Sequence, residues 1–402
     1  MLENIKNMGN TDRIQDKILG CLIGGAAGDA LGYPVEFLGE LEIFEKYGKS
    51  GITEYETDPG TGKAFVSDDT QMSLFTADGL LTWDRVNARL DEQENSKIKP
   101  RHYIARSYIG WLITQDTSYS RFSEAHVGSR KKIPWLLTIP ELFSQRSPGN
   151  TCLSALRQRK TRGTDIPSYI DDPLNENKGC GGIMRVAPFA LKNSDMTSEV
   201  LDVEAAEIAA ITHGHSLGYM PAAVLAHIIH GIVYGDNSQD LRNIVIDAIS
   251  TVTELFSEDP HLSELVDIVY KSIFLADNDR SDLDNIHNIG EGWVAEETLG
   301  IAIYCALRHQ DSFSDGIIAA VNHKGDSDST GAVTGNILGA WLGADKIDEK
   351  WKENLELADT ITRMARYIGG EDTVEDESDT HTSGCFSKLK SVFVNFVAKN
   401  KN

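Results

Sequence analysis

Ile18-Leu19-Gly20-Cys21-Leu22-Ile23-Gly24-Gly25-Ala26-Ala27-Gly28-Asp29-Ala30-Leu31-Gly32 is a long run of small and apolar residues, preceded by the acidic Asp12 and Asp16. Acid near the start and small apolar residues after it predict a buried helix with close neighbours. Each glycine weakens a helix by about 1 kcal/mol relative to alanine, so something must repay the cost, and close backbone approach is the usual reason. No Gly-Lys-Ser/Thr follows the glycines and no strand precedes them, so the run is not a phosphate loop. Ile18-Leu19-Gly20-Cys21 resembles a lipoprotein cleavage site only superficially, because Asp12, Arg13, Asp16 and Lys17 leave no apolar segment before the cysteine.

Working outward, most of the chain carries helical periods. Residues 103–115, 134–159, 184–191, 198–213, 220–234, 241–256, 262–275, 295–308, 315–322, 332–342 and 350–367 read as helices. Residues 47–66 and 160–180 read as loops, and 84–103 as a polar surface segment. Strand alternation is nearly absent, which predicts an all-α, orthogonal multi-helix domain rather than a βα alternation. The expected layout is a domain over 12–370, an acidic linker over 371–384 and a short amphipathic segment over 385–402. In that last segment Phe386, Leu389, Phe393 and Phe396 recur at helical spacing. We read it as docking on the body or disordered; membrane-surface contact is the lesser reading.

A net charge of −23 over 402 residues argues against nucleic acid as the partner. Five dispersed cysteines without a CxxC pair fit reduced thiols and a cytoplasmic chain. No stretch approaches the roughly 18 to 20 apolar residues of a membrane span.

The chemistry concentrates in two acidic clusters. Phe65-Val66-Ser67-Asp68-Asp69-Thr70-Gln71-Met72 places two aspartates between hydroxyls where a loop becomes a helix, and Gly325-Asp326-Ser327-Asp328-Ser329-Thr330-Gly331 echoes it. The second suggests an EF-hand loop until position 12, where Ile337 stands in place of the bidentate glutamate. Helix N-capping explains any one of these aspartates. Two per helix start exceed what capping needs. If the two starts meet, four carboxylates must be protonated or neutralised by cations. Oxygen donors without paired thiolates or histidines favour Mg²⁺ or Mn²⁺, and this many favour two ions. Glu36, after the turn Tyr33-Pro34-Val35, offers a fifth carboxylate. Asn177-Lys178-Gly179-Cys180-Gly181-Gly182-Ile183-Met184-Arg185 is a Gly-rich stretch whose amides suit a pyrophosphate.

Taken together, Gly28-Asp29-Ala30-Leu31-Gly32 with Glu36, Ser67 to Met72, Gly181 to Arg185, Thr212-His213 and Gly325 to Ser329 occur in an order that resembles the ADP-ribosylglycohydrolases. These include the dinitrogenase-reductase-activating glycohydrolase and the ADP-ribosylarginine and ADP-ribosylserine hydrolases, and the similarity spans about residues 14–366. The resemblance implies an all-α domain with a binuclear Mg²⁺ or Mn²⁺ centre. Its ligands would be Ser67, Asp68, Asp69, Asp326, Asp328 and Ser329, with Glu36 as ligand or gate. Gly181, Gly182 and Ile183 would bind the diphosphate and distal ribose, His213 would line the ADP-ribose pocket, and Glu36 or Asp69 would serve as general acid or base. The expected reaction releases ADP-ribose from a modified protein side chain by cleaving its N- or O-glycosidic bond at ribose C1″. Ser67 and Ser329 stand where many relatives have threonine, which keeps the hydroxyl. A rival reading is an ADP-ribose-binding or toxin-blocking immunity protein, which would be expected to have lost some of these carboxylates; this chain keeps them all.

Overall fold

A computed structural model describes residues 2–89, 99–127, 133–192, 196–236 and 238–371. Two units are distinguished, residues 1–369 and 370–402, and the expected acidic linker and C-terminal segment lie outside the described residues from 372 onward. The described part is built from sixteen α-helices joined by loops and short 3-10 turns, with two isolated bridges, Ala64 to Leu355 and Gly179 to Val294, in place of strands. The all-α expectation holds.

The glycine-rich run is the middle and end of the first helix, α1 (Leu2–Gly32). Its neighbour is a glycine-bearing helix near the other end of the chain, Ser327–Leu342. Gly20, Gly24 and Gly28 face Gly339, Gly335 and Gly331 at four-residue intervals, one face of each helix. A Cβ on Gly28 would lie 1.9 Å from the carbonyl oxygen of Gly331, and one on Gly335 would lie 2.0 Å from that of Gly24. The two backbones touch, so dispersion across a tight interface repays the helical cost of glycine. Asn336 adds a polar tie, its amide donating to the Cys21 carbonyl at 2.8 Å.

In chain order the other helices are α2 (Glu40–Tyr47), α3 (Asp68–Asn87), α4 (Pro100–Asp116), α5 (Tyr119–His126), α6 (Asn150–Arg162), α7 (Ala187–Ala190), α8 (Ser198–Ala210) and α9 (Ser216–Tyr234). There follow α10 (Leu241–Leu255), α11 (Leu262–Leu275), α12 (Asp282–Ile289), α13 (Ala295–Arg308), α14 (Phe313–Val321), α15 (Ser327–Leu342) and α16 (Ala358–Ile368). α3 packs on α4, α8 on α9, and α13 and α14 on α15.

Three helical readings shorten. Within 134–159 only α6 is α-helical, preceded by 3-10 turns at Trp135–Thr138 and Pro140–Leu142, because Pro134 and Pro140 cannot donate to a continuing ladder. The 184–191 helix contracts to α7, with Pro188 in its first turn. The 350–367 helix begins only at Ala358, after Leu357 takes a left-handed φ of 62°.

The membrane expectation also changes. By length and composition Thr11–Val35 and Ser216–Tyr234 are apolar enough to cross a bilayer, with mean hydropathy 1.3 and 1.4. Most residues in both windows, 83% and 89%, are buried inside the body, where their apolar surface packs on other helices.

Candidate active site

Four chain segments meet where α1 ends. Gly32 lies against the Ser327 carbonyl, and a Cβ there would sit 2.2 Å from it, so the end of α1 and the start of α15 are held together. Asp29, one turn earlier and fully buried, accepts hydrogen bonds from the Ser67 amide at 2.9 Å and the Thr70 amide at 3.1 Å, and also from the Thr70 hydroxyl. One buried carboxylate thereby fixes the N-terminus of α3 to α1. Capping is part of what these clusters do: the Ser67 hydroxyl accepts from the Asp69 amide at 3.1 Å, and Asp326 Oδ1 accepts from the Ser329 amide at 3.3 Å. Asp68, Asp69 and Asp328 are left over, and all three are buried.

The approach to α3 is pinned from behind. Glu356 Oε2 accepts from the Val66 amide at 3.1 Å, its Oε1 pairs with Arg146 at 2.9 Å, and the Arg146 carbonyl takes the Asp68 amide at 3.0 Å. The Gly149 amide donates to Asp68 Oδ2 at 3.3 Å.

Electrostatics shows how near the acids are to one another. Burial pushes Glu36 up to about 8, with Asp326 and Asp68 adding to it. Asp68 is pushed up to about 8, first by burial and then by Asp29 and Asp326, against the stabilising Gly149 amide. Asp69 is held well above the usual carboxylate range by burial, Asp29, Asp68 and Asp326. Asp328 is held likewise, by burial, Asp69, Asp326 and Glu36. Asp29 itself is raised to about 6 by burial, despite its three donors. Like charges in a dry site each disfavour the ionised form of the others. The structure thus brings Glu36, Asp68, Asp69, Asp326 and Asp328 into one cluster, with the Ser329 amide donating to Asp328 Oδ1 at 3.0 Å.

The Gly-rich stretch reaches this cluster through Cys180, whose thiol donates to Asp326 Oδ2 at 2.7 Å. Cys180–Gly182 forms a single 3-10 turn rather than the start of a long helix. His213 lies beneath it: a Cβ on Gly181 would be 2.7 Å from His213 Cε1, so only glycine fits. His213 is 2% exposed and is pushed down to about 3 by burial and by the Arg185 cation, which makes it a neutral ring. Its Nδ1 meets the Thr212 hydroxyl at 2.9 Å, which also accepts from Arg185 at 2.6 Å. Ile183, which follows the turn, is fully buried, as His213 nearly is.

Among the described residues no group of three or more His, Cys, Asp or Glu side chains is already arranged to hold a metal ion. The donor set nonetheless fits a hard cation. Glu36 Oε2 and Asp69 Oδ2 are buried oxygens without a hydrogen-bond partner, next to further carboxylates that can only accept when ionised. Asp29, Cys180, Glu356 and Arg185 had no assigned site role from sequence. The signal for Asp29 is a charge inside an apolar helix, and Cys180 and Arg185 lie within the Gly-rich stretch quoted from the sequence; Glu356 reaches the site from a distant position that no spacing links.

A family model described as ADP-ribosylglycohydrolase matches residues 10–378. The chain belongs to the ADP-ribosylglycohydrolase family. It is a hydrolase of that family, 24% identical to the ADP-ribosyl-[dinitrogen reductase] glycohydrolase of Rhodospirillum rubrum over 86% of this chain and 92% of that one. It is 25% identical to human ADP-ribosylhydrolase ARH3 over 86% of this chain and 90% of the relative. With the ADP-ribosylarginine hydrolase Tri1 of Serratia proteamaculans it shares 24% identity, over 88% and 79% of the two chains. A solved structure titled ADP-ribosylglycohydrolase-related protein complex superposes with a TM-score of 0.58 and 21% identity, covering 89% of this chain and 98% of that one, which supports the ADP-ribosylglycohydrolase fold.

Proposed function

We propose that this protein is a divalent-metal-dependent hydrolase that removes ADP-ribose from modified protein side chains by cleaving the glycosidic bond at ribose C1″. The observation that carries the reading is the convergence of five buried carboxylates from three chain segments, two of them with an unpartnered oxygen. Such a cluster is unfavourable by itself and becomes favourable around cations. Ser67, Asp68, Asp69, Asp326, Asp328 and Ser329 would hold two Mg²⁺ or Mn²⁺ ions, which when bound supply Lewis-acid polarisation and a template for the ribose hydroxyls.

The chain's own residues supply the rest. Carboxylates facing the sugar favour the oxocarbenium character that develops at C1″. Glu36 and Asp69, with their free oxygens, are the two groups available to exchange a proton with the leaving atom or with water. The turn at Cys180–Gly182 would hold the diphosphate through backbone amides, its glycines letting it pack closely on His213, Cys152 and Ala209. The relatives' names point the same way, one naming ADP-ribosyl-[dinitrogen reductase] and another ADP-ribosylarginine as what is hydrolysed. Free thiols at Cys21, Cys152, Cys180 and Cys305 support a cytoplasmic setting.

The test is release of free ADP-ribose from arginine- and serine-linked ADP-ribosylated proteins, with Mg²⁺ and then with EDTA. Metal-dependent release from at least one linkage is expected, and a Glu36→Gln or Asp69→Asn change is expected to slow it by about 10²-fold or more. A folded, metal-loaded sample that releases nothing from either linkage overturns the reading.

A further inference from the structure

Cys180 brings a thiol against the carboxylate cluster. Its Sγ lies 2.7 Å from Asp326 Oδ2, and Asp69 and Ser329 stand near the same sulfur. Cys152, by contrast, is turned to a cation, accepting from the Arg185 guanidinium at 3.4 Å, and Cys21 and Cys305 are fully buried inside helices.

The backbone sets the approach of Cys180 to Asp326. The Cys180 amide donates to the Trp293 carbonyl at 3.3 Å, and its carbonyl accepts from the Met184 amide at 3.1 Å. Two residues before Trp293, the Glu291 carbonyl takes the Asp326 amide at 2.9 Å. The Gly-rich turn, residues 291–293 and the start of α15 thus close into one ring of hydrogen bonds, completed by the thiol. Gly325 lets the ring close: its φ is 137°, and a Cβ there would lie 1.9 Å from the Glu291 carbonyl oxygen.

A thiol is a weak hydrogen-bond donor, so a hydroxyl or an amide would hold a carboxylate better. As a metal ligand sulfur has a distinct effect. Mg²⁺ takes oxygen donors, whereas transition ions accept sulfur, and their affinity for a given site rises from Mn²⁺ through Fe²⁺ to Co²⁺. The neighbouring Asp69 Oδ2 is a buried oxygen without a partner, in a residue 2% exposed, so the sulfur borders a place that already calls for a cation. We infer that Cys180 is a further ligand of the proposed cation centre, and that its sulfur turns the position beside Asp326 from Mg²⁺ toward a transition ion such as Mn²⁺ or Co²⁺. The inference rests on the metal-dependent reading above and adds a ligand and a class of cation. On binding, the thiol proton directed at Asp326 Oδ2 passes to solvent and a sulfur lone pair takes the ion; no electron is transferred.

The experiment titrates the full, EDTA-stripped chain, in a phosphine reductant, with Co²⁺ and separately with Mg²⁺. Absorption reads sulfur-to-cobalt charge transfer and calorimetry reads affinity, for the wild type, Cys180→Ser and the Asp68→Asn, Asp69→Asn double variant. The wild type is expected to show the charge-transfer band, and both variants to lack it. The Co²⁺-to-Mg²⁺ affinity ratio is expected to fall about tenfold in Cys180→Ser, with Mg²⁺ affinity nearly kept. Cys180→Ala replaces the serine variant if that one does not fold. Bound cobalt without the band in the wild type overturns the inference and leaves the metal reading standing. So does a band or an affinity ratio that survives the loss of Cys180, since the sulfur then comes from elsewhere or does not matter. A wild type that binds neither ion overturns the metal-dependent reading itself, and the inference with it.

Discussion

At the residue scale the decisive group is Asp29, which binds no ligand in the proposal yet sets where Ser67 and Thr70 stand. Its two oxygens take two amides and a hydroxyl, all donors. An Asp29→Asn change keeps the shape but turns one oxygen into an NH₂ facing those donors. We expect a loss of about 1–3 kcal/mol in urea unfolding, the cost of stranding buried polar groups, together with a fall in ADP-ribose release. Asp29→Ala should cost more activity than stability, because it frees the start of α3 without adding a buried donor clash. His213 teaches the complementary lesson. His213, expected to line the ADP-ribose pocket, is a neutral ring under Gly181, kept so by burial and Arg185.

At the element scale the glycine seam between α1 and α15 sets the geometry. A Gly28→Ala methyl would meet the Gly331 carbonyl at 1.9 Å, against backbone that has no rotamer to change. The expected cost is about 3 kcal/mol, the upper end of overpacking, and thermal melting measures it. Because Gly32 and Ser327 continue the same seam, activity should fall further than stability predicts. A second inter-helix device lies away from the site. His227 on α9 meets Asp202 on α8 at 2.8 Å and Asp247 on α10 at 3.3 Å, with Glu199 nearby. Burial alone would lower the His227 pKa, but the two carboxylates outweigh it and hold it above the ordinary value. A histidine whose folded pKa is raised stabilises the fold fully below its unfolded value of about 6.5, and that stability is lost as pH rises through the folded pKa. Denaturation midpoints measured from pH 6 to 9 should therefore decline more steeply for the wild type than for His227→Gln.

At the scale of the whole molecule, the proposed metal reading makes the acidic cluster a link between folding and cations. Glu36, Asp68, Asp69 and Asp328, each held above the usual carboxylate range by burial and its acidic neighbours, oppose the fold when ionised, and a ligand that binds only the folded state relieves this. Adding Mg²⁺ or Mn²⁺ should raise the melting midpoint, by an amount equivalent to about 2.7 kcal/mol at a hundred times Kd. EDTA should reverse the rise, and the Asp68→Asn, Asp69→Asn double variant should lack it; an unchanged wild-type midpoint would count against cation binding. Much of this molecule was legible in its residues. Helical periodicity and the near absence of strand alternation determined the all-α class, and the excess of acid at Ser67–Asp69 and Asp326–Asp328 marked both halves of the site, because those signals are local in the chain. Glycines in α1 announced a close neighbour without naming it. Only the tertiary structure decided that the neighbour is α15, that Asp29 organises α3, and that Cys180 touches Asp326. Those pairings join positions tens to hundreds of residues apart, and helix packing, which answers to shape and burial rather than to spacing along the chain, is what selects them.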